Sequence, residues 1–195
     1  MTESQPPSPN YCTIKIHRPS IAELIFFFAS GILVGVPMAL IFELYASKVT
    51  VGPPILMSLL LIVLYGPFIE EVAKIFPLFY RHGETQRSFL TLGFLLGLGF
   101  GVAEFFIYVF VMDAPVLLRI PLVIFHACST LIVAYGITTK HILRYYLAAV
   151  GLHMSINLAA FAPRLIWAAG FVVFLSIAYL LAYRLYSRST ERVVE

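Results

Sequence analysis

The chain has 195 residues, of which 61% are hydrophobic and 12% charged, with a mean hydropathy of +0.93 and a formal net charge of +3. Soluble domains average about 45–50% apolar and about 25% charged residues, so this composition excludes an ordinary soluble enzyme and requires an integral, multi-pass membrane protein, expected in the cell membrane. Only two cysteines are present, Cys12 and Cys128, which excludes a disulfide framework.

In chain order, residues 1–19 read as a polar, Pro-rich N-terminal arm without the apolar core and small-residue cleavage site of a secretory signal. A helix needs about 20 mainly apolar residues to cross a bilayer. Six runs meet that need: 20–46, 55–80, 88–112, 114–138, 142–162 and 164–187. The third and fourth are separated by Asp113-Ala114-Pro115, a helix-stopping tripeptide. A short tail, 188–195, follows. The expected architecture is an all-α bundle of about six spans, filling 20–187, with its chemistry on spans two to five.

Orientation follows from cationic residues. With the N-terminus inside, the inner ends carry Lys15, Arg18, Arg81, Arg87, Lys140, Arg144, Arg184, Arg188 and Arg192. The outer ends carry Lys48, Arg119 and Arg164, and Lys74 is intramembrane. That asymmetry predicts both termini in the cytoplasm.

Against this apolar background, polar groups near mid-depth stand out. They are Glu70, Glu71 and Lys74 on the second span, Glu104 on the third, His126 on the fourth, and His153 with Asn157 on the fifth. One ionised group at the centre of a lone helix costs roughly 2.5–3.5 kcal/mol, and several would cost on the order of 10 kcal/mol. They must therefore face the bundle interior. Lys74 is four residues from Glu70 and three from Glu71, within reach of either. Gly93, Gly97 and Gly101 share one face with Glu104 and predict a close helix–helix approach. Pro67 lacks the amide that would bond the Val63 carbonyl, and Pro121 does the same to Leu117; such breaks are tolerated beside a protein partner or a wet cavity.

Each residue has a plainer reading: a hydrogen-bonding histidine, a self-neutralising Glu–Lys brace, a small core cysteine at Cys128. His17, His82 and His141 fall in the arm or in loops and read as solvated. Taken together, the carboxylates, imidazoles, lysine and asparagine exceed what bracing requires. HExxH, GxSxG and Gly-rich phosphate loops are missing from the sequence, and its single aspartate, Asp113, sits at a membrane edge.

Four short motifs occur in order on consecutive spans. Glu70 to Lys74 ("EEVAK") is similar to the EExxK motif of PrsW-like membrane proteases, and Phe100 to Glu104 ("FGVAE") to their FxxxE motif. A lone His126 and then His153 to Asn157 ("HMSIN") complete the pattern, over roughly residues 65–160. The resemblance extends to a glutamate-dependent superfamily that includes the CAAX prenyl proteases and bacteriocin-processing proteins. The prenyl-protease branch shows EExxxR and FxxxH, whereas Ile75 and Glu104 stand at those positions here, which places the chain on the PrsW side.

The resemblance implies an intramembrane endopeptidase acting on membrane-anchored protein substrates, with the lipid bilayer as its surroundings and no nucleic-acid partner. Within it Glu70 is expected as general base for water and Glu71 as a partner oriented by Lys74. Glu104 would hold a shared proton or orient a histidine. His126 or His153 would serve as second base or proton donor to the leaving amine, and Asn157 as oxyanion donor. Cys128 is expected to be dispensable. No cofactor is required in this form; a metal-dependent form would use two histidines and a glutamate to hold Zn²⁺. The rival classes are a proton-coupled carrier or channel, which intramembrane Glu, His and Lys also mark, and an inactive scaffold that binds membrane helices. No internal repeat of the transporter kind is visible in the sequence.

Overall fold

The computed structural model describes residues 18–80 and 85–194. The arm with Cys12, Lys15 and His17, and the loop residues Arg81 and His82, lie outside the described residues. Those described form six helices: α1 (Ile21–Val49), α2 (Pro54–Tyr80), α3 (Gln86–Val111), α4 (Val116–Thr138), α5 (Ile142–Ala159) and α6 (Arg164–Arg188). They contain no strand; one isolated bridge pairs Thr85 with Val193.

Local chemistry sets the helix ends. Ser20 caps α1 in a reciprocal box: its backbone amide donates to Glu23 Oε2 at 2.8 Å, and the Glu23 amide donates to Ser20 Oγ at 3.3 Å. Gly52, at φ 153°, and the following prolines turn the chain between α1 and α2. Asp113 adopts φ 54° in the predicted break between α3 and α4, a left-handed conformation that Asp tolerates better than most residues.

Five of the six helices are long and apolar enough to cross a membrane. The exception, α5, has 18 residues and carries Arg144, His153 and Asn157, so the polar groups that single it out also lower its apolarity. It packs between α4 and α6 as an integral part of the bundle. The most enclosed element is α4 and the most peripheral is α6. One apolar core joins Phe27, Leu78, Leu92, Leu96 and Val133; another joins Phe125, Cys128, Ile132, Ile156 and Ala178. Outward-facing Leu33, Leu117 and Leu165 are among the large apolar side chains left exposed, as a lipid-facing surface requires.

The glycine stripe does what its spacing predicts. A Cβ on Gly97 would overlap the His126 carbonyl, and one on Gly101 would come within 2.9 Å of Val123 Cα, so α3 lies backbone to backbone on α4. Three helices widen into π-type turns: α1 at Gly31–Gly35, α2 at Leu59–Tyr65 and α3 at Ile107–Val111. In the second, the Gly66 amide bonds the carbonyl of Leu61, five residues back. With that register the missing amide of Pro67 falls opposite Ile62 rather than the expected Val63. At the opposite end of the bundle, residues 189–194 fold back onto the start of α3. The Gln86 amide donates to the Arg192 carbonyl at 2.8 Å and the Arg87 amide to that of Thr190 at 3.1 Å.

Candidate active site

Helix packing brings six of the seven singled-out residues into one cluster. At its base is a fully buried ion pair: Lys74 Nζ donates to Glu71 Oε1 at 2.6 Å, with neither side chain exposed. The lysine thus selects the carboxylate three residues away over the one four away. The same ammonium donates to His126 Nδ1 at 3.0 Å and to Ser129 Oγ at 3.2 Å, and lies 5.3 Å from the centre of the Phe100 ring. Ser129 Oγ donates in turn to Glu71 Oε1 at 3.1 Å. An ion pair withdrawn from water needs such additional hydrogen bonds to be tolerated.

Each histidine is anchored to a carboxylate through one ring nitrogen. His126 Nε2 contacts Glu104 Oε2, and His153 Nδ1 donates to Glu71 Oε1 at 3.0 Å. Because ammonium is only a donor, His126 Nδ1 accepts from Lys74, which leaves the proton on Nε2, facing Glu104. The ring of Phe100 packs against His126 and that of Phe125 against His153, with centroids 5.3 and 5.2 Å apart. Both imidazoles are therefore held in place by a carboxylate and an aromatic wall.

The second ring nitrogens converge on Glu70. Its Oε2 lies 4.0 Å from His126 Nδ1 and 3.8 Å from His153 Nε2. This oxygen is buried, and among the described residues it has no hydrogen-bond partner. Glu70, His126 and His153 together offer one oxygen and two nitrogens within 4.8 Å of one another. The set fits a divalent cation of the zinc class: borderline-soft donors, an orphaned oxygen, and two histidines each backed by a carboxylate, the arrangement that orients metal-binding imidazoles. Lys74 lies on the same His126 nitrogen, so an ion would compete with the ammonium for that lone pair.

Glu70, Glu104, His126, His153 and Asn157 all line one cavity of about 470 Å³. Asn157 stands apart from the cluster: its amide donates to the Ile62 carbonyl at 2.8 Å, filling the place that Pro67 leaves empty. One further amide hydrogen remains to it. The cavity walls come from Glu43 and Ser47 of α1, Tyr65 of α2, Tyr108 of α3, Arg119 of α4 and Trp167 of α6, and reach the loop residues Ala114 and Pro115. All lie toward the bundle end that carries the loops 50–53, 112–115 and 160–163, opposite to the end where residues 18–20 and 189–194 lie.

Three site residues escaped the sequence reading. Glu43 of α1 lines the same cavity wall as Glu70. It is an acid inside an apolar run, the same signal that marked Glu104. Ser129 carries no signal in the sequence beyond its spacing of three from His126. Arg119 counted merely as an outer-end charge.

A search of curated proteins and a search of solved structures gave no significant match. A family model described as "PrsW family intramembrane metalloprotease" matches residues 19–183, which takes in all six helices but for the end of the last. The buried carboxylate–histidine cluster thus belongs to a membrane-embedded protease, and the chain is a member of the PrsW family.

Proposed function

We propose that this chain hydrolyses a peptide bond of a membrane-anchored protein, using water activated at Glu70 between His126 and His153. The observation that carries the reading is Glu70 Oε2: a buried oxygen without a hydrogen-bond partner among the described residues, facing both histidines at the wall of the cavity. A carboxylate so placed can take a proton from water as the oxygen attacks the scissile carbonyl. His153, its Nδ1 proton held on Glu71, presents Nε2 to relay that proton to the leaving amine. Glu104 keeps His126 in register. The second amide hydrogen of Asn157 is the donor available to the developing oxyanion. Water adds across the amide and no acyl-enzyme forms, so Cys128, packed in the apolar core, is spared any part.

A metal-dependent form is favoured by a separate observation, the compact oxygen–nitrogen–nitrogen donor set. Glu70, His126 and His153 would hold the ion, which would supply Lewis acidity and a more acidic bound water. The residues around them have the same tasks in either form: Glu71 and Glu104 orient the imidazoles, and Lys74 and Ser129 hold Glu71. The motif resemblance to a glutamate-dependent superfamily speaks for the metal-free form, and the matched family's description as a metalloprotease speaks for the metal form. In both, substrate approaches from the loop face, which is extracytoplasmic if both termini are cytoplasmic.

The test is co-expression of the wild type and Glu70→Gln with a library of tagged single-pass membrane proteins, mapping new termini by mass spectrometry. Cleavage confined to the wild type is expected. Equal patterns, with both proteins folded and equally abundant, would refute the reading and favour a carrier or scaffold. On a purified active sample, removal of metal with a strong chelator separates the forms. Activity lost and then restored by Zn²⁺ identifies the metal form; activity retained after total metal analysis reads zero identifies the glutamate form.

A further inference from the structure

The residues lining the cavity include the acids Glu43, Glu70 and Glu104 and one guanidinium, that of Arg119. Its carbon Cζ lies 3.5 Å from the centre of the Tyr108 ring. Tyr108 lines the same cavity, so the stacking holds the guanidinium at the cavity wall instead of releasing it toward lipid headgroups. Among the described residues no carboxylate pairs with it. A guanidinium presents five donors in a planar fork suited to a carboxylate. Here the Tyr108 ring backs that fork, and among the described residues its donors make no hydrogen bond.

Its distance from the chemistry follows from helix geometry. Arg119 and His126 lie seven residues apart on α4. Seven residues make two turns, a rise of about 10 Å with only about 20° of drift around the axis, so both stand on one face. An extended peptide rises about 3.3 Å per residue. A substrate strand running from the histidines toward the loops would bring its third residue, within about one position, level with Arg119.

We propose that Arg119 determines specificity by pairing with an acidic side chain about three residues from the scissile bond, on the stretch of substrate that runs toward the loop face. The partner is thus a membrane-anchored protein with an acidic juxtamembrane segment. This rests on the protease reading above.

The experiment uses the full-length protein in neutral phosphatidylcholine vesicles and a substrate identified by Glu70-dependent cleavage. Positions two to four from the scissile bond, toward the loop face, are changed in turn to Asp, Ala and Lys. The wild type is expected to favour Asp over Lys by about tenfold in kcat/KM at one of these positions, the scale of a charge-assisted hydrogen bond. Arg119→Ala is expected to flatten that preference and Arg119→Glu to invert it, with the Lys substrate rescued. Rescue by opposite charge is something a merely structural arginine would not give. A flat wild-type profile overturns the inference and leaves the protease reading standing. So does an Arg119→Glu defect that is equal for all substrates, or a preference that appears only when anionic lipid is added, which would assign the arginine to a headgroup. If no substrate shows Glu70-dependent cleavage, both readings fall together.

Discussion

At the scale of single residues, the most consequential contact is the one between Lys74 and Glu71, because neither can reach water. Removing one partner of a buried pair strands the other charge at a cost of about 3–5 kcal/mol, whereas replacing both with apolar groups is often neutral. Lys74→Met is therefore expected to lower unfolding stability in detergent by about that amount. Lys74→Met/Glu71→Leu should recover most of the loss without recovering cleavage, since His153 then has no anion on Nδ1. A double variant as unstable as the single one would show that Glu71 is held by Ser129 and His153 alone. These residues were legible because ionisable groups in lipid are rare and costly, so each one flags itself. Hydroxyls carry no such flag: Thr130 and Ser155 bond back to the carbonyls four residues before them, as many membrane hydroxyls do. Ser129 therefore looked like one of these until α2 was placed against it. Glu43 carries the same flag as an acid inside an apolar run, but its partner is not readable from spacing: only the packing of α1 on α2 brings it to the cavity wall beside Glu70.

At the scale of helices, the spans follow their apolar runs to within a few residues, since lipid demands a minimum length and Pro, Gly and Asp mark the exits. The π-type turns were not legible. An amide that bonds five residues back uses the same side chains as one that bonds four back, and the choice is made by neighbouring helices. Hence the orphaned carbonyl created by Pro67 falls on Ile62, and Asn157 is tied to it, a link between α2 and α5 that the spacing of His153 and Asn157 could not reveal. The α3–α4 contact was legible, because only small residues allow backbones to meet. Gly97→Val would drive a side chain into the His126 carbonyl and push α3 away, separating Glu104 from His126. Such overpacking costs about 1–3 kcal/mol or more, so a lower unfolding midpoint and loss of cleavage are expected. Gly151→Ala, whose Cβ would meet nothing within 4 Å, is the control and should keep cleavage, with a midpoint that does not fall. Wild-type cleavage by Gly97→Val would mean that the close approach is unnecessary.

At the scale of the whole molecule, helices from both ends of the chain contribute to the cavity, so the site exists only when the bundle is closed. The apolar pattern could suggest how many helices there are, not which face their polar groups would open to; that depends on rotation and register. The opposite end is closed differently. Amide groups in the first turn of a helix have no partner within it, and those of Gln86 and Arg87 are met by carbonyls of the segment after α6. Arg87 adds a side-chain bond to the Ser189 carbonyl at 2.8 Å. Deleting residues 189–195 should lower stability by roughly 1–3 kcal/mol, about 1 kcal/mol for each hydrogen bond lost. An unchanged unfolding midpoint would show that this segment carries no load. The same fold-back bears on how the protein is handled. A purification tag or reporter joined to the C-terminus would pull on the strap that secures the start of α3, whose far end carries Glu104. An inactive fusion could then be mistaken for an inactive enzyme.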